Sequence, residues 1–529
     1  MNDDDRLSSR PAGWGTQTAK PGTAPPPEIL PGLPDPTAAV RRLAYTLMIA
    51  VAAAVALGRI FSAERVYEPH LHRDDKAPGD PRSAWPKSRP EPMPTFSSND
   101  RSRWATVRAL VDQGTYVIGR RETISEEPGY RDTGIVFEPG WETVDKVLNP
   151  TTHEFYSSKP PLLPTLAAGE YWLLKKLFGW SLTREPWHVV GVILITLNVL
   201  PLVAYLVLLA RLAERFAATD WGKLFVVAAA CFGTLVTPFL NTFNNHTLGT
   251  FCAVFALYAA LKIRPPGDAD GSTWRNDALY VVAGLFAGFT ATNELPALAF
   301  TALLGVLLLV RSPWRAVALY GGAALLPIAA EVLNDYVATG ELMPIYAKFG
   351  TPWYEYEGSH WVYTPGRRGI DWAGRNGETK PVYALHLLVG HHGFFSLTPI
   401  YLLGLWGMGV AVRRLRQQGW GRGKVGPISW AEVGTLTLVL SWIIVGYYIY
   451  KSDNYGGFSN GPRWLMWLAP FWMLTMLPAV DGLGRSRWGR ALALVLLGLS
   501  VFSASYSSWN PWRHPWIYDW MNSRHWIEY

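Results

Sequence analysis

The chain has 529 residues, 49% of them hydrophobic, with a formal net charge of +7, 26 tryptophans and two cysteines. Such averages fit a large soluble enzyme as well as a membrane protein, so the distribution of apolar residues has to decide. The basic excess falls in short clusters between apolar runs, which argues against a nucleic-acid partner; Cys231 and Cys252 both sit inside apolar runs, which argues against a disulfide framework or a cysteine metal site.

Residues 1–40 are polar and Pro-rich, without the apolar core of a signal peptide, and read as a disordered cytoplasmic tail. Arg41 and Arg42 then precede the apolar run 43–58 and place its start on the cytoplasmic side, where short loops are enriched in basic residues. The polar stretch that follows is a large outer loop, 62–160. Run 162–178 is interrupted by Glu170, Lys175 and Lys176 and reads as an interfacial helix rather than a full span. Runs 189–210, 224–240, 248–261, 278–292, 295–310 and 316–332 alternate so that the basic residues after them fall inside. A second outer loop occupies 334–381. Run 383–412 is long for one span and is expected to start along the outer surface before descending to the densest basic cluster, Arg413, Arg414, Arg416, Arg422 and Lys424. A further hairpin ends at Arg485, Arg487 and Arg490, and the last run, 491–506, exits to a Trp-rich outer tail, 507–529. The expectation is an all-α polytopic membrane protein of about eleven spans plus interfacial helices in the first outer loop, with one transmembrane domain over 41–506.

Ionisable and polar residues at the outer ends of spans are where function is sought. In the segment 97–111, SSNDRSRWATVRALV, the spacing of Trp104, Val107 and Val111 predicts a short amphipathic helix with Asp100 in its first turn. Composition alone favours a capping role for Asp100. Lys159 opens the stiff sequence Lys159-Pro160-Pro161-Leu162; alone it reads as a snorkelling lysine, although a lysine held at the interface also suits a phosphate headgroup. The remaining groups are Asn244-Asn245-His246, Asn293-Glu294, His391-His392 and the Gly-rich turn from Tyr455 to Arg463. Adjacent histidines on a helix point apart and no carboxylate partner is evident, so His392 is assigned a hydrogen-bonding role and no metal is claimed. Arg463 is suited equally to clamping a phosphate and to anchoring a tight interhelical turn.

DRSRWATVRAL, followed by a loop and KPPL, resembles the first outer loop of the type-C membrane glycosyltransferases of family 39, which include protein O-mannosyltransferases and lipid A aminoarabinose transferases. Asp100, Arg103, Trp104 and Ala105 match its acidic-basic-aromatic-alanine pattern, and Lys159 to Leu162 match its KPPL element. The resemblance is densest over 97–179. It implies a polyprenyl-phosphate sugar as donor, transfer at the outer face, no cofactor, Asp100 as catalytic base and Lys159 as partner of the donor phosphate. Arg103, Asn245, His246, Glu294, His392 and Arg463 are the further substrate-binding candidates. Three positions depart from the pattern: Asp100 is followed by Arg101 instead of a second acid, Asn245 and His246 stand where many members carry an acidic residue, and Asn293-Glu294 replaces a Lys-Gly. A transporter or flippase, and a membrane scaffold, are the competing classes. The acceptor, whether protein, lipid or polysaccharide, is not specified by the residues.

Overall fold

The computed structural model describes residues 35, 37–62, 93–126, 129–264, 273–362, 378–418, 426–452 and 454–527. Most of the tail 1–40, parts of both outer loops, and Arg422 and Lys424 of the basic cluster lie outside the described residues.

The described chain is mostly helical, and five helices are long and apolar enough to cross a membrane: Ala38–Phe61, Pro186–Phe216, Pro313–Thr339, Trp430–Lys451 and Arg487–Tyr506. A sixth candidate is the pair Arg463–Thr475 and Leu477–Leu483, bent by 47°. The protein is a multi-pass membrane protein. Its helices are apolar on both faces, unlike those of a water-soluble bundle: on Ala38–Phe61, Tyr45, Ile49, Ala52 and Ala56 pack inward while Leu43, Leu47 and Val51 are exposed. Leu325, Leu326 and Leu333, and Leu492, Val495 and Leu499, are likewise turned out. Against water such patches invite aggregation, whereas lipid tails match them.

The structure does not reproduce eleven spans, and the reasons are local. The run 224–240 divides into a helix, Asp220–Phe232, and a 3-10 turn, Thr237–Asn241. Helix Leu162–Phe178 has the expected bounds, but its 17 residues rise only about 25 Å, short of a hydrocarbon core of about 30 Å. Helix Asn245–Lys262 starts with Asn-His-Thr and is buried along nearly its whole length, so it fills the bundle rather than facing lipid. Run 383–412 is broken into Lys380–Leu388, Phe394–Leu397 and Tyr401–Gln418, with His391 and His392 in the intervening turn.

The all-α expectation is also corrected. The first outer loop folds into a four-stranded antiparallel sheet of order β2-β1-β4-β3, with β1 Gly119–Thr123, β2 Tyr130–Thr133, β3 Lys146–Leu148 and β4 Glu154–Ser157. The strands are three to five residues long, too short for alternation to stand out in the sequence. Phe155, fully buried, pairs with Gly119 and Leu148 and seats the sheet beside helix Ser98–Asp112.

One end of the bundle is tied by ion pairs between basic residues flanking the spans and nearby carboxylates. Arg41 reaches Glu214 at 2.9 Å and Asp220 at 2.7 Å, Arg311 reaches Glu432 at 2.7 Å, and Arg315 reaches Asp277 at 2.6 Å. At the other end the first-loop helix, the sheet and the turn before Asn245 come together.

Helix Thr273–Asn293 packs on Pro313–Thr339 through Gly284 and Gly288, four residues apart on one face. A Cβ at Gly284 would stand 2.1 Å from the Tyr320 carbonyl oxygen, and one at Gly288 2.2 Å from that of Ala324. Small residues at this spacing allow backbones to touch. Gly284→Leu is therefore expected to destabilise the solubilised protein by at least the roughly 1–3 kcal/mol of an overpacked core, read as a fall in melting temperature. Gly498→Leu, on Arg487–Tyr506 with open space around it, should leave the melting temperature unchanged.

Candidate functional site

Helix Ser98–Asp112 enters the interior with most of its first half buried, Asp100 and Trp104 completely so. The Asp100 carboxylate accepts the backbone N–H of Phe96 at 3.0 Å on one oxygen and that of Phe243 at 2.9 Å on the other. It thus reaches back to the segment before its own helix and across to the turn before helix Asn245–Lys262. Trp104 packs on Phe243, centroids 4.7 Å apart, beside this bridge. The turn is fixed from its other side by Asn198, whose side-chain amide donates to the carbonyls of Leu240 at 2.9 Å and Thr242 at 3.0 Å. Asn244 caps the helix by accepting from Thr247 N–H at 2.9 Å, which places Asn245 and His246 in the first turn, facing the loop.

Four of the candidates expected from the sequence meet in one buried network. Arg103 donates to the Asn99 carbonyl at 2.9 Å and to the side-chain oxygens of Asn99 and Asn245. Asn245 in turn donates to the Asn293 carbonyl and to Glu294 at 3.2 Å, and His246 Nδ1 contacts the same Glu294 oxygen. Glu294 sits at the break between helix Thr273–Asn293 and the turn Leu295–Ala297, where the extended backbone lets its side chain point into the bundle. A carboxylate about fifty positions downstream thus lies beside Asn245 and His246.

Lys159 lies nearby, but it is not an isolated interfacial lysine. Its ammonium contacts Asp145 at 2.6 Å, both side chains being largely buried. Ser157 fixes the approach, accepting from Lys159 N–H at 3.1 Å and sharing a hydrogen bond of 2.6 Å with Ser102. Arg463 stacks its guanidinium on Trp512, 4.8 Å from the ring centroid, and its charge is felt by Arg103, Asp145 and Lys159. His392 falls elsewhere, in an aromatic cluster with His391, Tyr455, His514 and Tyr518.

Burial dominates the electrostatics. It lifts the Asp100 carboxyl to about 6 despite the amides of Phe96 and Phe243 and the charges of Arg103 and Arg101. It lowers Arg103 to about 10, still cationic at neutral pH, with Arg463 adding repulsion against the attraction of Asp145 and Asp100. Burial also lowers Lys159, with Asp145 opposing that shift. For Asp145 burial is outweighed by Lys159, Arg463 and Arg103, which hold its carboxyl below the ordinary value.

The sequence reading missed Asp145, Glu331 and Asp335. Glu331 accepts Leu162 N–H at 3.1 Å at the head of the KPPL helix, and it borders a cleft with Arg103, Pro160 and Asn245. Asp335 borders a neighbouring cleft with Lys159 and Tyr116. A signal for Glu331 was present, since acids inside an apolar run are rare and tend to be functional; Asp145 offered none. The statement that His391-His392 has no carboxylate partner is corrected. The two histidines are in a turn, not on a helix, and ligand atoms of Glu378, His386 and His391 lie within 4.8 Å of one another, a grouping able to hold a metal ion.

No protein-family model and no curated protein matches the chain. Among solved structures it is similar to the Archaeoglobus fulgidus oligosaccharyltransferase in its apo form, with TM-score 0.47 and 11% identity over 91% of this chain and 57% of that one. It is also similar to ArnT from Cupriavidus metallidurans bound to undecaprenyl phosphate, with TM-score 0.42 and 14% identity over 87% and 63%. A third is the archaeal oligosaccharyltransferase AglB from Archaeoglobus fulgidus with an inhibitory peptide and a dolichol-phosphate, with TM-score 0.46 and 12% identity over 92% and 58%. These are type-C membrane glycosyltransferases. The similarity covers about three fifths of their length.

Removing Asp145 would leave the Lys159 ammonium buried near Arg103 and Arg463. Breaking one side of a buried ion pair costs roughly 3–5 kcal/mol, whereas replacing both partners is often close to neutral. Asp145→Asn should therefore lower the melting temperature markedly and Asp145→Asn with Lys159→Met should recover much of the loss. Equal melting of the single variant and the parent would show that the pair is not closed in solution.

Proposed function

We propose that this protein is a membrane glycosyltransferase that moves a sugar from a polyprenyl-phosphate donor to an acceptor at the non-cytoplasmic face of the membrane. The observation that carries the reading is the buried grouping centred on Arg103, which is close enough to Asp100, Asp145, Glu294 and Arg463 to feel their charges and lies near Lys159, so that three cations and three carboxylates meet beneath the first loop, with Asp100, Arg103 and Lys159 among the motif residues that resemble family 39. In an inverting displacement the acceptor oxygen bonds to the anomeric carbon while the bond from that carbon to the phosphate oxygen breaks. The acceptor proton passes to a base, and the lipid phosphate leaves with its negative charge stabilised by cations. Arg103, Lys159 and Arg463 are assigned to the phosphate. For Lys159 this requires the phosphate to share it with Asp145 or to displace that carboxylate. Asp100 is assigned as the base. Undecaprenyl phosphate and dolichol-phosphate, bound in two of the similar structures, belong to the lipid class assigned here as donor carrier.

A second assignment of the base, to Glu294 with His246, is favoured by a specific observation: both Asp100 oxygens are occupied by backbone N–H groups, while Glu294 and His246 touch each other next to Arg103 and Asn245. Under it Asp100 is a positioning residue that joins the loop to the bundle. Asp100→Asn is not neutral under either assignment, because an amide in place of the carboxylate turns its NH2 toward one of two backbone donors, and an unmet buried donor costs about 1–3 kcal/mol. The variants must therefore be read by turnover, donor affinity and melting together. If Asp100 is the base, Asp100→Asn loses roughly 10²–10⁴ in turnover with donor affinity kept, and Glu294→Gln keeps most activity. The reverse pattern moves the base to Glu294. Retained transfer in both variants ends the acid–base assignment altogether.

The pH profile gives a further check. Folded Asp100, at about 6, binds its proton more tightly than a free aspartate at about 3.9. Its contribution to stability is thus fully present below about 4 and fades as pH rises through about 6. Catalysis runs the other way: a base must be ionised, so the turnover should fall as pH drops through about 6. An acid limb absent from the wild-type profile counts against Asp100.

Sidedness is read by thiol labelling, for which the two native cysteines are buried and silent. Glu357→Cys should react with an impermeant reagent on intact cells and Gln417→Cys should not. The opposite pattern would put the candidate site on the cytoplasmic side.

A further inference from the structure

The cluster around His386 lies outside the transfer site and no step proposed above uses it. Glu378 precedes helix Lys380–Leu388, which carries His386 one turn from its end, and the chain then reverses through Gly390 so that His391 stacks on His386 with centroids 4.1 Å apart. The reversal leaves room for the imidazole alone, since a Cβ at Gly390 would stand 2.3 Å from His386 Nδ1. That nitrogen is buried and, among the described residues, has no hydrogen-bond partner; the same holds for His392 Nε2 and His514 Nδ1. Four of the chain's eleven histidines, His386, His391, His392 and His514, meet here. Buried polar atoms are almost always satisfied, and an imidazole nitrogen without a protein partner beside a carboxylate is what a metal ligand looks like before the ion is considered. Tyr455 donates its hydroxyl to Glu378, the outer hydrogen bond that commonly orients a ligating carboxylate.

We propose that Glu378, His386 and His391 bind one divalent transition-metal ion, zinc by their donor set, with the fourth position open to water or to a neighbouring imidazole. Ligand atoms now within 4.8 Å of one another need to draw in only by about an ångström to reach the separations set by zinc–ligand bonds of roughly 2.0–2.2 Å, a movement within side-chain torsion. Two imidazoles and one carboxylate favour such an ion over magnesium or calcium, which prefer all-oxygen sites. The ion would pin the end of the second outer loop to Tyr455, which opens the Gly-rich turn closing at Arg463. Its role is to hold that turn. The inference does not rest on the transfer reading.

The test uses the full chain purified in detergent, stripped with EDTA, dialysed and loaded with ZnCl2 or CoCl2. One zinc per chain is expected, together with a higher melting temperature in ZnCl2 but not in MgCl2, and visible absorption of bound cobalt. His386→Ala and His391→Ala should each lower zinc affinity at least 100-fold, and His188→Ala, at an exposed histidine, should keep the wild-type value. Glu378→Gln, the mildest change, should bind zinc more weakly and shift the cobalt spectrum, and so reads the site even where a histidine variant misfolds. Absence of bound zinc or cobalt in the wild type, stoichiometric zinc in the His386→Ala/His391→Ala double variant, or stabilisation by MgCl2 in place of ZnCl2 would each overturn the proposal.

Discussion

A single buried carboxylate joins the two halves of the candidate site. Asp100 bridges the amides of Phe96 and Phe243, and so ties the first-loop helix to the turn that Asn198 holds from its other side. A carboxylate accepting from two fixed N–H groups cannot be moved without stranding donors in a dry interior. Helix Ser98–Asp112 is therefore docked at one register, with Arg103 one turn beyond Asp100 and delivered to Asn245, and Ser102 delivered to Ser157 before Lys159. The same bridge orders the turn preceding Asn245, so His246 faces Glu294. Charge placement at the site follows from backbone hydrogen bonding several residues away.

That arrangement bears on the positions at which the chain differs from the family-39 motifs it resembles. Where an acid would stand in the turn after the third apolar run, this chain has Asn245-His246, and where a Lys-Gly would stand in the later hairpin it has Asn293-Glu294. The two changes compensate in space, because Glu294 puts its carboxylate beside Asn245 and His246.

What was legible in the sequence is what short-range pattern encodes. The first-loop helix and the helix with its bounds at 162 and 178 both follow from periodicity, proline placement and charge. The span count was not legible, because an apolar run does not say whether it faces lipid or fills the bundle, as helix Asn245–Lys262 does. The sheet was hidden by strands of three to five residues, and Asp145 by an ordinary loop context, since a partner for Lys159 is created only when β3 pairs with β4. His391 and His392 were misjudged for a similar reason. Helical geometry would have pointed them apart, and the break after Leu388 instead turns them toward one another and brings His391 to Glu378.

The cost of burying charge also argues for what occupies the site. Arg103, Lys159 and Arg463 are held near Asp100, Asp145 and Glu294, and a buried ion pair is weak evidence of stabilisation. A hydrophobic packing of the same volume would serve the fold as well or better. Groups retained at such a cost at one end of a membrane bundle, under a folded loop and beside clefts lined by Pro160 and Glu331 or by Lys159 and Asp335, are understandable if a strongly charged ligand completes them. The lipid phosphate proposed above as donor carrier would meet that demand from the membrane side. It brings its own negative charge to the cations, its hydrocarbon can remain among the spans, and its arrival would relieve the mutual repulsion of Arg103, Lys159 and Arg463.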